Sequence, residues 1–176
     1  MKNPFKIAYR WIKNKLKGDS VTIPTTTISQ RLSEFEIQSE VRRIFKTSDV
    51  NLTINLLTYN NSVDYWVNFI TAICFAESNY DRFTKYMEPA PLNYYSIGLM
   101  QLSYVDQKYH THCDIQGDKI FEVHNNLYCG IGILNKLVGK NKKPIFQSGH
   151  YWAVLKPNNK RHKVFLAKFN KLQRGE

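Results

Sequence analysis

Val63-Asp-Tyr-Trp-Val-Asn-Phe-Ile-Thr-Ala-Ile-Cys-Phe-Ala-Glu77-Ser78 is the stretch on which the fold turns. Trp66, Val67, Phe69, Ile70, Ile73 and Phe75 make it apolar on most sides, which predicts a helix enclosed by a domain core rather than laid on its surface. Asp64 near its start suits the positive end of the helix dipole. Cys74, inside the apolar run, reads as a buried thiol. At the far end a carboxylate, Glu77, follows directly on Phe75-Ala76. A glutamate there is either a surface residue at a helix end or a functional acid at the rim of the core.

Upstream, residues 28–45 read as a second helix, with Leu32, Phe35, Val41, Ile44 and Phe45 on the apolar stripe and Ile37 off it. Leu52, Ile54, Leu56 and Leu57 fit either a strand or a helix, and Asn60-Asn61 is a turn signal. Downstream, Tyr80 to Tyr95 contains Pro89 and Pro91 and reads as a loop or broken helix, after which Gly98 to Lys108 resumes an apolar pattern. Phe121 to Val138 reads as a helix through Leu127, Ile131, Ile133, Leu134 and Leu137. Its Gly130 and Gly132 would let another element approach closely. Further helices are predicted over Gly149–Leu155 and Lys163–Leu172. The expected fold is mainly α, with one domain over residues 29–176 preceded by a separate segment, residues 1–28.

That N-terminal segment sets Phe5, Ala8, Trp11, Ile12 and Leu16 near one helical face, with Lys6, Arg10, Lys13 and Lys17 between them. Such a basic amphipathic pattern, residues 2–17, suits an anionic membrane or wall polymer. A helix packed on its own domain or a frayed tail is the more ordinary reading of the same pattern. Residues 21–29, with Pro24 and three consecutive Thr, read as a linker. No apolar stretch resembling a secretory signal occurs in Met1–Leu16, and no run approaches the ~18 apolar residues of a membrane span.

A chain of 176 residues is long enough for one domain with a real core. The excess of 25 basic over 14 acidic residues, +11 in all, fits nucleic acid, an anionic membrane or an anionic wall polymer. The basic residues gather near the two ends, while Val50 to Leu99 is close to neutral, which fits a nucleic-acid groove poorly. No nucleic-acid partner is expected. Aromatic residues make up 14%, enough to leave amphipathic rings over for lining a cleft.

Cys113 and Cys129 flank a short stretch and are read as a disulfide, which requires an oxidising compartment. Neighbouring His110, His112 and His124 raise a metal alternative, but the usual ligand-pair spacings are missing and no metal is expected.

Two motifs carry the chemistry: Ala76-Glu77-Ser78, and Ser96-Ile97-Gly98-Leu99-Met100-Gln101 some twenty residues on. In this order and at this spacing they resemble the soluble lytic transglycosylase family of the lysozyme-like superfamily. Asn125-Asn126-Leu127-Tyr128-Cys129-Gly130 resembles a third, helical motif of that family, some exported members of which carry a cysteine before that glycine and another upstream. The similarity spans roughly Val63 to Leu155. One departure stands out: where the family has Ala-Tyr-Asn near its end, this chain has His150-Tyr151-Trp152-Ala153, so Tyr151 is either the aromatic facing the acid or an ordinary core residue.

The resemblance implies a lysozyme-like helical fold with a substrate cleft. It also implies cleavage of the N-acetylmuramic acid–N-acetylglucosamine bond of peptidoglycan, Glu77 being catalytic acid and base and 1,6-anhydromuramyl ends being formed. Ser78, Ser96, Gly98, Met100, Gln101 and Tyr151 would bind substrate, and no cofactor is implied. Action in the periplasm, the wall or outside the cell follows, with delivery by a phage or a secretion machine.

The chemistry stands independently of the name. A glycosidic oxygen must be protonated near neutral pH, which calls for a carboxyl of raised pKa, as burial at an apolar helix end supplies. Hydrolysis normally needs a second carboxylate. Asp81, Glu88 and Asp106 are the nearby candidates, and each also reads as a surface or capping residue. Two other readings are a water-using muramidase and a non-catalytic module that binds wall glycan or a partner. Truncation to begin near Val21 is expected to leave cleavage of soluble glycan fragments unchanged; loss on fragments and whole sacculi alike would make the first helix part of the catalytic fold.

Overall fold

The computed structural model describes residues 31–141 and 151–176, the side chains of Lys140 and Asn141 excepted. The basic N-terminal segment, the linker and the first part of the helix predicted over 149–155 lie outside the described residues. The rest is mainly helical: α1 (Glu34–Thr47), α2 (Ile54–Tyr59), α3 (Val63–Ser78), a hairpin of β1 (Lys85–Met87) and β2 (Tyr95–Ile97), α4 (Asp106–Tyr109), α5 (Val123–Asn141) and α6 (His162–Gln173). Among the described residues no helix is long and apolar enough to cross a membrane.

The central helix α3 has the predicted bounds. Ser62 caps its start, its side chain accepting from Tyr65 N at 3.2 Å, and Asp64 pairs with Arg42 of α1. It ends because Asn79 turns left-handed (φ 51°), a conformation asparagine tolerates better than most residues. Trp66, Val67, Phe69, Ile70, Ala72, Ile73 and Cys74 are fully buried, as a helix apolar on most sides requires. α3 packs most closely on α6 and α1. Along the first seam Phe69 meets Phe165 and Phe169 edge-on, with ring centroids 5.2 and 5.5 Å apart, favourable geometry for aromatic quadrupoles.

Several expectations need correcting. α1 begins at Glu34, behind a capping box in which Ser33 Oγ accepts from Glu36 N and Ser33 N donates to Glu36 Oε2. Its buried stripe is Ile37, Val41 and Ile44, spaced four and three apart, so Ile37 lies in the core and Phe35 on the opposite face is 75% exposed. Between Asp49 and Asn61, where the sequence fits strand and helix alike, the chain is helical: a 3-10 turn, Val50–Leu52, leads into α2, which ends before the Asn60-Asn61 turn signal. There the side chain of Asn135 accepts from Asn55 N and Leu56 N and donates to Asn51 O, satisfying the open end of α2. The segment expected as a loop carries β1 and β2, antiparallel with Tyr86 opposite Ser96. Three-residue strands are too short for alternation to stand out, and the prolines fall in their connection. Of the helix predicted to end at Leu155, a 3-10 turn, Ala153–Leu155, lies within the described residues.

α5 is the helix against which the polar parts of the fold register. A Cβ at Gly130 would lie 2.3 Å from Met100 Sδ and one at Gly132 2.1 Å from His112 Nε2, so both glycines admit neighbours that alanine would push away. Cys129 of α5 is joined to Cys113, while Cys74 is free and buried. One turn before Gly130 the fully enclosed Asn126 accepts from Met100 N at 2.9 Å and donates to Ile120 O at 2.9 Å and Ile97 O at 3.3 Å. Asn126→Ala would leave those buried groups unpaired and is expected to lower unfolding stability by about 3 kcal/mol; an unchanged urea midpoint would show that the amide is not needed.

Candidate active site

Glu77 occupies the last turn of α3, where unpaired helix carbonyls already disfavour a negative charge. Its side chain is only 11% exposed. Burial raises its pKa from an ordinary 4.5 to about 7, and the nearby charge of Glu88 pushes the same way. Two groups resist the rise: Arg161 at the start of α6 and the Val154 N–H, which bonds the carboxylate. Arg161 Nη1 lies 4.0 Å from Glu77 Oε2 and donates to the Glu77 carbonyl at 3.4 Å. The result is a carboxyl held between its two protonation states at neutral pH, with a cation to receive the charged form.

Glu88 arrives from the hairpin. Its N–H donates to Tyr94 O as the strands part, and its Oε1 accepts from Ser96 Oγ at 2.6 Å. Tyr94 is close enough to feel both Glu88 and Asp106, which with burial raise its pKa. Asp106 in turn accepts from Ser103 N at 2.7 Å, as a capping residue does, and from the hydroxyl of Tyr151. Burial raises the Asp106 pKa against those two bonds, and burial followed by Asp106 drives that of Tyr151 well up, so the phenol stays protonated as donor. Glu77, Glu88, Tyr94, Asp106 and Tyr151 thus form one electrostatically connected set.

The second motif takes a different part from the one expected of it. Residues 97–102 close into a loop through Ile97 N to Leu102 O at 2.7 Å and Leu102 N to Ile97 O at 2.9 Å, with Gly98 (φ 81°) and Gln101 (φ 50°) turning left-handed inside it. Gly98 is needed because a Cβ would lie 2.4 Å from Asn126 Nδ2, so it lets this loop pack closely on α5. Met100 is fully buried against Gly130 and belongs to the core, not to a binding surface. The amide nitrogen of Gln101 is committed to Gly98 O at 2.8 Å and Thr84 O at 3.2 Å. Ser78 Oγ lies 2.9 Å from Cys74 O and 3.0 Å from Leu99 O, where its single proton ties α3 to this loop. Only Ser96 and Tyr151 reach the connected set, Ser96 through Glu88 and Tyr151 through Asp106 rather than through Glu77.

Asp81 is a turn residue, accepting from Phe83 N at 2.9 Å. His112, Cys113 and Cys129 bring their ligand atoms within 4.8 Å of one another, but the two sulfurs are bonded to each other and His124 binds Glu40 instead. Arg161, Val154, Tyr94 and Asn126 were not foreseen as site residues. Arg161 and Val154 come from a segment remote in sequence, and Tyr94, two residues before Ser96, carries no signal of its own. Asn126 sat in a recognised motif without an assigned role.

No protein-family profile matches the chain, and no curated protein does. Among solved structures it is similar to DslA: the wild-type protein in one form aligns with a TM-score of 0.56 at 19% identity, covering 79% of this chain and 88% of that one. Two forms of DslA with a glutamate changed to glutamine align equally well, at 19% and 20% identity. The two chains share a fold.

Glu77 also makes stability depend on pH. Below 4.5 the carboxyl is protonated folded or unfolded and contributes nothing. As pH rises to about 7 the unfolded chain loses this proton first, and native stability falls by up to about 3 kcal/mol before levelling off. Glu77→Gln should therefore be little different from the wild type in urea unfolding at pH 4 and clearly more stable at pH 8; an equal gap at both pH values would contradict the raised pKa.

Proposed function

We propose that this chain is a peptidoglycan lytic transglycosylase with a lysozyme-like domain and Glu77 as its acid and base. The observation that carries the reading is a buried carboxyl at the end of the central helix, with a pKa near 7, backed by a peptide N–H and an arginine. Protonated Glu77 gives its proton to the oxygen linking N-acetylmuramic acid to N-acetylglucosamine. The C–O bond breaks, the N-acetyl oxygen of the muramyl unit supports the developing cation, and the N-acetylglucosamine unit leaves as an alcohol. Arg161, 4.0 Å away, steadies the carboxylate so formed. That carboxylate then removes the proton of the muramyl 6-hydroxyl, whose oxygen closes on C1. Protons balance, Glu77 is restored and no cofactor enters. Peptidoglycan places the action in the periplasm, the wall or outside the cell.

Glu88 favours a second reading, a water-using muramidase. Its carboxylate is near enough to Glu77 to raise its pKa and is oriented by Ser96, as a residue activating water would be. The two glutamates changed in DslA stand at positions 143 and 154 of that chain, eleven apart, as Glu77 and Glu88 are here.

Mass spectrometry of digested peptidoglycan separates the two. The proposed reaction leaves 1,6-anhydromuramyl ends, one water lighter than the hydrolysis product, and keeps a reducing-sugar assay flat while turbidity falls. Glu77→Gln should abolish cleavage, and the wild-type rate should decline above about pH 7 as the acid loses its proton. Glu88→Gln should retain most activity; hydrated ends together with an inactive Glu88→Gln protein would establish the muramidase.

A further inference from the structure

Away from Glu77, a concavity of about 450 Å³ opens between α2, α5 and the segment after α4. That is within the roughly 300–1,000 Å³ usual for small-molecule sites. It shares no residue with the set around Glu77. Gly132 makes it: only a residue without Cβ lets the His112 ring lie against α5. There His112 Nε2 meets Cys129 O at 3.2 Å, and the neighbouring His110 ring sits 5.8 Å away, centroid to centroid.

The lining selects a ligand class. Burial, then the Lys136 ammonium, lowers the pKa of both imidazoles, so at neutral pH they are uncharged rings. Lys136 and Asp49 give the lining one formal charge of each sign. A site so neutral in a chain of +11 is a poor trap for polyanions. A wholly apolar ligand would strand the amides of Asn51 and Asn55 and the imidazoles. His110 Nδ1 is enclosed and has no hydrogen-bond partner among the described residues, so its neutral ring contributes shape and polarity to the lining rather than a contact of its own. Tyr109 presents a ring that is 55% exposed, a platform for the apolar face of a sugar. Rings to stack on, amides to both donate and accept, and no net charge together match a neutral, amide-bearing saccharide.

We propose that this groove is a second glycan-binding site, holding N-acetylated pyranose units of a strand that is cut elsewhere, at Glu77. The choice of glycan rests on the function proposed above; the site itself does not need the chemistry. The test titrates the Glu77→Gln protein with the tetramer of N-acetylglucosamine, following the imidazole signals of His110 and His112 and the side-chain amide of Asn55 by NMR. Saturable shifts are expected there. Tyr109→Ala should weaken binding about ten-fold, Tyr109→Phe should restore it, and Lys136→Met should change it by less than about two-fold. In the active protein, Tyr109→Ala should slow digestion of insoluble sacculi while soluble fragments are cut at the wild-type rate. Shifts confined to the Glu77 cleft, or none, would overturn the proposal. So would inorganic phosphate moving the same signals in a Lys136-dependent way while the tetramer does not. Binding is read without turnover, so a Glu77→Gln protein that still cleaves would sink the catalytic reading and leave this result standing.

Discussion

Residues 97–102 close on themselves through two backbone hydrogen bonds, and three side chains from distant parts of the chain hold that closed loop in the core. Ser78 reaches Leu99 O from the end of α3, Asn126 takes Met100 N from α5, and Trp152 Nε1 donates to Met100 O at 2.7 Å. Leu99, Met100 and Leu102 are fully buried, so the peptide groups around them cannot turn to water and must be met by protein. Meeting them sets the end of α3, the start of α5 and the segment leading to α6 at fixed distances from one another. The elements around Glu77 inherit their positions from this clamp.

What the clamp positions is a conflict. A carboxyl at the negative end of an apolar helix is a poor place for charge, and Glu77 responds with a pKa near 7. Val154, held just beyond Trp152, and Arg161, one residue before α6, keep the carboxylate accessible despite the burial. Without them the carboxyl would hold its proton more firmly; without the burial it would be ionised at neutral pH. The hairpin adds Glu88 from a third direction, with Ser96 fixing one of its oxygens.

α5 serves both faces of the molecule through the same device. Gly130 admits Met100 and so the closed loop; Gly132, two residues on and turned away from it, admits His112 and so shapes the groove between α2 and α5. The Cys113–Cys129 bond anchors the segment bearing His110 and His112 to the same helix. Asn126 and Asn135, nine residues apart, satisfy backbone groups of two different neighbours. Polar side chains buried in a helix this way specify which neighbour goes where, since a shifted packing would leave each of them unpaired.

Local sequence determined the elements whose signals are strong over many residues: the buried helix 63–78, the helix built around Leu127 to Leu137, the mainly helical class, the free Cys74 and the acid at a core rim. Periodicity and composition act residue by residue along the chain, so they can be read without knowing the partners. The stripe of α1 was misjudged at Ile37 and Phe35 because assigning a helical face requires knowing where the helix begins. The hairpin escaped because its strands are three residues long. Only the tertiary structure decided that Ser78, Gly98, Met100 and Gln101 build the loop, that Tyr151 answers to Asp106, and that Glu88, Val154 and Arg161 surround Glu77. Those pairings join residues up to 84 positions apart, and an electrostatic environment is a property of the groups that folding brings close, which no single stretch of chain contains.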